Sequence, residues 1–204
     1  MKIFKGLFLV LFLIFMSCSK ESKVKDSYLL NKIILEIEER QSYDEDQYPL
    51  GLFSKEHYKK EAEYAKEQLI RLAKIDVIFL SETESISLKL LKFQLQDTID
   101  YFEFEMYLNP LLSDSGFHTN FSFMVRPFQN YEQVKDYLTK LNAIPSRVNQ
   151  FLPLLREGLE KGVSQPSVIF NGYESSYNDH IIENFEKSYF YQPFNNLPKT
   201  LTST

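Results

Sequence analysis

The chain has 204 residues, with 44% apolar side chains and a formal net charge of -5. A mildly acidic, mixed-sign chain lacks the basic stripe that displaces counterions from nucleic acid, so no nucleic-acid partner is expected. One cysteine and six glycines exclude a disulfide framework, a multi-cysteine metal centre and glycine-rich phosphate loops.

Residues 1–17 read MKIFKGLFLVLFLIFMS, with Lys2 and Lys5 ahead of an uncharged apolar run. The run is shorter than the roughly 20 apolar residues of a bilayer span and fits the h-region of a secretory signal. It ends at Ser17, directly before the chain's single cysteine, Cys18. A small residue before a lone cysteine at this point resembles a bacterial lipobox. Cleavage would expose Cys18 for acylation, making membrane lipid the first expected partner. The expected address is the bacterial cell envelope, at the outer membrane or cell surface. Residues 18–26 read as a polar tether. Residues 27–204 then read as one helical region.

Tyr28, Leu29, Ile33, Ile34 and Ile37 recur at helical spacing and predict a first helix over 24–42. Asp44, Asp46 and Pro49 break it. Ser54 caps a second helix, whose face runs Tyr58, Ala62, Ala65, Leu69, Leu72 and Ile75. Glu56/Lys60 and Glu67/Arg71 are placed for i,i+4 pairing. Ser81 and Glu84 form a capping-box pattern ahead of a third helix carrying Leu88, Leu91, Leu95, Ile99, Phe102 and Met106. The short connection between these two helices predicts an antiparallel hairpin.

Helical spacing fails over 108–129, a long loop rich in phenylalanine. Asn130 caps a fourth helix, with Gln133 in the capping-box position and a face of Val134, Tyr137, Leu138 and Leu141. Pro145 restarts the chain into a fifth helix over 148–159, kinked by Pro153 and ended by Gly162. Residues 164–170 read as extended, and 175–189 as a last helix. No segment sustains period-two alternation. The fold class is therefore all-α: antiparallel helical hairpins packed in layers, with one long Phe-rich loop.

Few residues suggest chemistry. His57 lies near the start of the second helix, on its polar side, and reads as a surface histidine. His180 and Glu183 are spaced for one helix face, but the H-E-x-x-H zinc pattern is absent, with Ile181 and Asn184 at its positions. Asp97, Asp100 and Glu103 read as a solvated acidic face. There is no G-x-S-x-G elbow. No catalytic residue, metal ligand or cofactor is therefore assigned within this chain. The one ligand-facing candidate is the aromatic loop, through Phe117, His118, Phe121 and Phe123.

Several short motifs then fall into a familiar order: Leu69-x-x-Leu72-x-x-Ile75-Asp76, Tyr137-Leu138-x-x-Leu141-x-x-Ile144-Pro145, Leu155-Arg156-Glu157-Gly158, Gly162, Pro166-Ser167-Val168 and Tyr191-Gln192-Pro193-Phe194. In this order they resemble the N-terminal part of the bacterial domain-of-unknown-function family 885, from about residue 45 onward. That resemblance implies a helical, exported protein similar to zinc metallopeptidases, with its H-E-x-x-H helix in a C-terminal half. The chain is then expected to be a scaffold fragment, inactive alone, with zinc only in that missing half. A C-terminal half on the same or a separate chain is the second expected partner. Phe185, Tyr189, Phe190, Tyr191 and Phe194 crowd the last twenty residues and reinforce the expectation of an incomplete domain, since such rings want a partner surface. The alternative is a stand-alone, membrane-tethered helical binding module.

Overall fold

The computed structural model describes residues 24–111, 116, 121–174, 178, 181–195 and 197. The signal-like segment, Cys18, Phe117, His118 and His180 lie outside them. The described residues are helical, with no strand beyond an isolated antiparallel bridge between Leu111 and Gly116. The chain divides into two compact units, Met1–Ser42 with Lys59–Phe104, and Tyr43–Tyr58 with Glu105–Thr204.

The first unit holds three helices: α1 (24–38), most of α2 (Lys55–Leu72) and α3 (Glu82–Glu103). Residues 24–26 belong to α1, as the helix predicted over 24–42 has it. Asp26 is buried and accepts the Asp76 backbone N–H at 3.3 Å, so the start of α1 lies beside the end of α2. At the other end of α1, Arg40 makes a bidentate pair with Glu61 at 2.6 and 2.8 Å and lies over the Tyr64 ring. These contacts run α1 antiparallel to α2. The pair of Lys66 with Glu103, at 2.6 Å, sets α2 against α3 in the same sense. The expected hairpin is therefore present and carries a third helix. Its core is Leu30, Ile33, Ala65, Leu72, Ile75, Leu88, Leu95 and Ile99.

The capping box of α3 is formed. The Ser81 hydroxyl accepts the Glu84 backbone N–H at 3.3 Å, and the Glu84 carboxylate accepts the Ser81 N–H at 2.8 Å. The helix stops at Glu103, before the Met106 expected on its face. Glu105 adopts left-handed backbone (φ 53°), and the next turn, Met106–Leu108, buries Tyr107 and Leu108 while Met106 stays exposed. Arg71 pairs with Glu36 on α1 at 2.6 Å rather than with Glu67. A cross-helix carboxylate in good geometry outcompetes a weak exposed i,i+4 pair.

The second unit is built on α4 (Tyr131–Glu160), one continuous helix of 30 residues where two were expected. Pro145 and Pro153 both lie inside it. Each removes one backbone donor, at about 3 kcal/mol in an isolated helix. The inward residues nevertheless continue through both prolines: Tyr137, Leu141, Ile144, Arg147, Phe151, Leu154 and Gly158 recur three or four apart. Burial of that uninterrupted stripe outweighs the local penalty. Asn130 caps α4 through the Gln133 N–H at 3.0 Å, while the Gln133 amide oxygen reaches one residue further back, to the Gln129 N–H. The helix ends in a Schellman turn. The Val163 N–H bonds Gly158 O at 2.8 Å and the Gly162 N–H bonds Leu159 O at 3.1 Å, with Gly162 at φ 75°.

Beyond α4 the described residues form mostly short 3₁₀ turns and irregular segments. The stretch expected to be extended over 164–170 is not: 163–166 are irregular and Ser167–Phe170 is a 3₁₀ turn, with the Ile169 N–H on Pro166 O at 3.0 Å. The helix expected over 175–189 is not continuous among the described residues: Asn178 is helical, 181–184 are irregular, and Phe185–Lys187 and Tyr189–Phe194 are 3₁₀ turns. Asn184 and Ser188 each cap a new turn with their side chains, which competes with helix continuation.

Candidate functional site

The second unit carries an open groove of about 620 Å³, lined by residues from Phe123 to Gln129 and by Gln133, Asp136, Tyr137 and Lys140 of α4. A second hollow of about 480 Å³ shares Arg126 and Pro127 and continues to Gln192, Pro193 and Asn195. The irregular segment 125–129 thus stands between two hollows. Its anchors are Met124 and Phe128, both buried in a core with Leu50, Phe121 and Tyr137. Phe128 meets Tyr137 and Phe194 edge-on, at 5.3 and 5.1 Å.

The aromatic residues singled out in this loop separate. Phe123 is 45% exposed and lines the groove. Phe121 is 5% exposed and packs inward, edge-on to Phe190 and beneath the Arg147 guanidinium. They separate because Ser122–Met124 is a 3₁₀ turn, which sends neighbouring side chains in different directions.

The groove's polar groups are largely engaged. Asp136 pairs with Lys140 at 2.7 Å. The Tyr137 hydroxyl donates to Phe190 O at 2.7 Å. Burial, with Tyr189 nearby, pushes the Tyr137 phenol up to about 12. It is therefore a fixed structural donor at neutral pH, not a proton shuttle. Arg126 is exposed on the groove's rim. A partly apolar wall with Arg126 on its rim and Lys140 paired to Asp136 is suited to binding an extended apolar or acidic segment.

Sequence reasoning missed the residues that position this site. Arg147 is only 9% exposed, yet its Nη1 donates to Leu50 O at 2.9 Å. The guanidinium lies 4.7, 5.5 and 5.8 Å from the ring centres of Phe53, Phe121 and Phe151. Its Nε has no hydrogen-bond partner among the described residues, and burial lowers the affinity of the group for its proton. One turn on, the Gln150 amide oxygen accepts the Phe53 N–H at 2.7 Å and its amide nitrogen donates to Gly51 O at 3.3 Å. Arg147 and Gln150 together clamp the backbone of 50–53 onto α4. An arginine on the inward stripe of a helix is the one sequence signal that could have exposed this.

A surface network lies at the end of α4. Lys161 pairs with Glu157 at 2.9 Å and with Glu105, and Lys55 pairs with Glu157 at 2.7 Å. Both lysines hold the Glu157 carboxyl below its ordinary range. His57 is half-buried, with its ring edge-on to Tyr43 at 5.9 Å. Asp100 accepts from Gln96 and Glu103 pairs with Lys66, in keeping with a solvated acidic face. Among the described residues no three His, Cys, Asp or Glu side chains converge on a metal-binding point, and no helix is long and apolar enough to cross a membrane.

With this geometry in hand, comparison with known families is informative. The chain belongs to the bacterial proteins of unknown function of the DUF885 family, whose model matches residues 39–204. No curated protein and no solved structure matches it.

Proposed function

We propose that this chain is the helical scaffold portion of an exported, lipid-anchored DUF885 protein similar to zinc metallopeptidases, and that its second unit holds an extended peptide segment in the Phe123 groove. The observation that carries this reading is the groove wall itself. Phe123 and Pro127 offer apolar surface over the buried Met124 and Phe128, and Arg126 a cation, while the Asp136 and Tyr137 side chains are already committed to Lys140 and Phe190. Such a wall binds and orients without transferring protons. The lipid anchor rests on the signal-like residues 1–17 and Cys18. Zinc chemistry would come from an H-E-x-x-H helix that residues 1–204 do not contain.

The test is a purified chain assayed for metal content, peptide hydrolysis and peptide binding together. The expected result is no stoichiometric zinc, no hydrolysis, and binding of unfolded peptides that falls at least tenfold in the Phe123→Asp variant. Tight zinc binding with hydrolysis would overturn the scaffold assignment. Peptide affinity unchanged by Phe123→Asp would overturn the groove assignment.

One observation favours the alternative of a stand-alone, membrane-tethered binding module. The C-terminal aromatics expected to need an outside surface find partners within the second unit: Phe190 and Phe194 pack on its core, and Tyr191 tilts against Phe194 at 5.6 Å. Phe185 alone among them stays well exposed, at 67%. A monomer that unfolds in one cooperative step without binding hydrophobic dyes supports this alternative, and molten, dye-binding behaviour opposes it.

A further inference from the structure

The first unit has an apolar tip at the end where α1 begins. Val24 and Tyr28 are 66% and 67% exposed there. The turn Val77–Phe79, between α2 and α3, brings Val77 and Ile78 to the same end, at 46% and 84% exposure. Two contacts hold the pieces together: the Asp76 N–H on the buried Asp26 carboxylate, and the Ser27 hydroxyl on Glu84 of the α3 capping box. Asp76 also accepts the Ile78 N–H at 3.0 Å, fixing the turn that displays Ile78. Exposed Lys25 and Lys74 neighbour the tip in sequence. Asp76 and Glu84 are turned to the hydrogen bonds just named.

We infer that this tip, Val24, Tyr28, Val77 and Ile78, seats in the bilayer interface beside the lipid on Cys18. The inference rests on the lipid-anchor reading and adds an orientation to it. Five residues separate Cys18 from Val24, six peptide steps in all. Whatever their conformation, they span at most about 20 Å. An acylated Cys18 therefore keeps this end of the unit within about 20 Å of the membrane. The most exposed apolar side chains near that tether are then held where burial among headgroups and acyl chains is available, with lysines at the rim to meet anionic lipid. α3 has 22 residues and is about 33 Å long, so its far end, at Phe104, is carried away from the surface.

The chain has no tryptophan, so one introduced residue is a clean reporter. Ile78→Trp and Phe104→Trp replace side chains that are 84% and 75% exposed, leaving the core untouched. Each full-length acylated variant is reconstituted on phosphatidylethanolamine/phosphatidylglycerol vesicles with brominated acyl chains. The expected result is blue-shifted emission quenched several-fold for Ile78→Trp, and unshifted, unquenched emission for Phe104→Trp. Equal, unquenched emission from both on vesicle-bound chain overturns the tip's seat and gives that surface to water or to another protein. Incorporation of radioactive palmitate, with Cys18→Ser as control, reports separately on the anchor. No label at Cys18 overturns the anchor and the inference with it.

Discussion

Arg147 donates its Nη1 hydrogen to the carbonyl of Leu50, 97 positions earlier in the chain, at 2.9 Å. The contact satisfies a carbonyl in an irregular segment and places a cation among three phenylalanine rings without a carboxylate partner among the described residues. Removing the side chain leaves that carbonyl buried without a partner and opens space between the rings. Arg147→Met is expected to destabilise the second unit by about 1–3 kcal/mol. Arg147→Lys is expected to do no better, since a compact ammonium can neither stack nor reach with a planar fork. Urea unfolding of the three proteins, followed by tyrosine fluorescence, checks both.

Gly158 faces the backbone of the turn Met106–Leu108 so closely that an added Cβ would lie 2.5 Å from Leu108 O. Neither partner is a flexible side-chain end, so the backbones must part. Gly158→Ala is expected to cost about 1–3 kcal/mol through overpacking. Gly162 has open space around it and only its φ of 75° to defend, so Gly162→Ala is expected to cost about 1 kcal/mol. Thermal unfolding should therefore rank Gly158→Ala below Gly162→Ala.

Tyr137 predicts an alkaline limb. Its folded-state value is raised from 10.0 to about 12. A proton held more tightly in the folded state contributes stability that is complete below the unfolded value and is lost as pH rises between them. Stability should thus fall from pH 10 toward about 12. Tyr137→Phe lowers stability at neutral pH by removing the bond to Phe190, yet flattens the slope in that window. Denaturation midpoints at pH 9 through 12 separate the two effects.

Ser81→Ala removes the hydroxyl that accepts the Glu84 N–H and leaves the first turn of α3 uncapped. The expected loss is about 1 kcal/mol. Ser81→Asp should recover most of it, because a carboxylate can also cap and favours the positive end of the helix. Circular dichroism during urea unfolding reads both variants.

The elements were legible where a local rule acts alone. The caps at Ser54, Ser81 and Asn130 hold, because a short polar side chain and a backbone donor three residues on settle them without help. Pro145 misled, because its local penalty is smaller than the burial gained by carrying the stripe from Tyr137 to Gly158. The division into two units was invisible, since residues 43–58 join a core whose other members begin at residue 105. In the candidate site, Phe123 was legible as an aromatic in an irregular loop. Arg147 and Gln150 were not, because their partners are backbone groups near residue 50 that no periodicity marks.

The interleaving of the two units also imposes an order in time. Every residue of the first unit has left the ribosome once position 104 emerges, and its three helices can then associate. Residues 43–58, including the carbonyl that Arg147 will take, must wait through that whole interval without their partners. Closing so long a loop comes late and slowly, so the segment around Leu50 is the stretch of the nascent chain that most needs shielding.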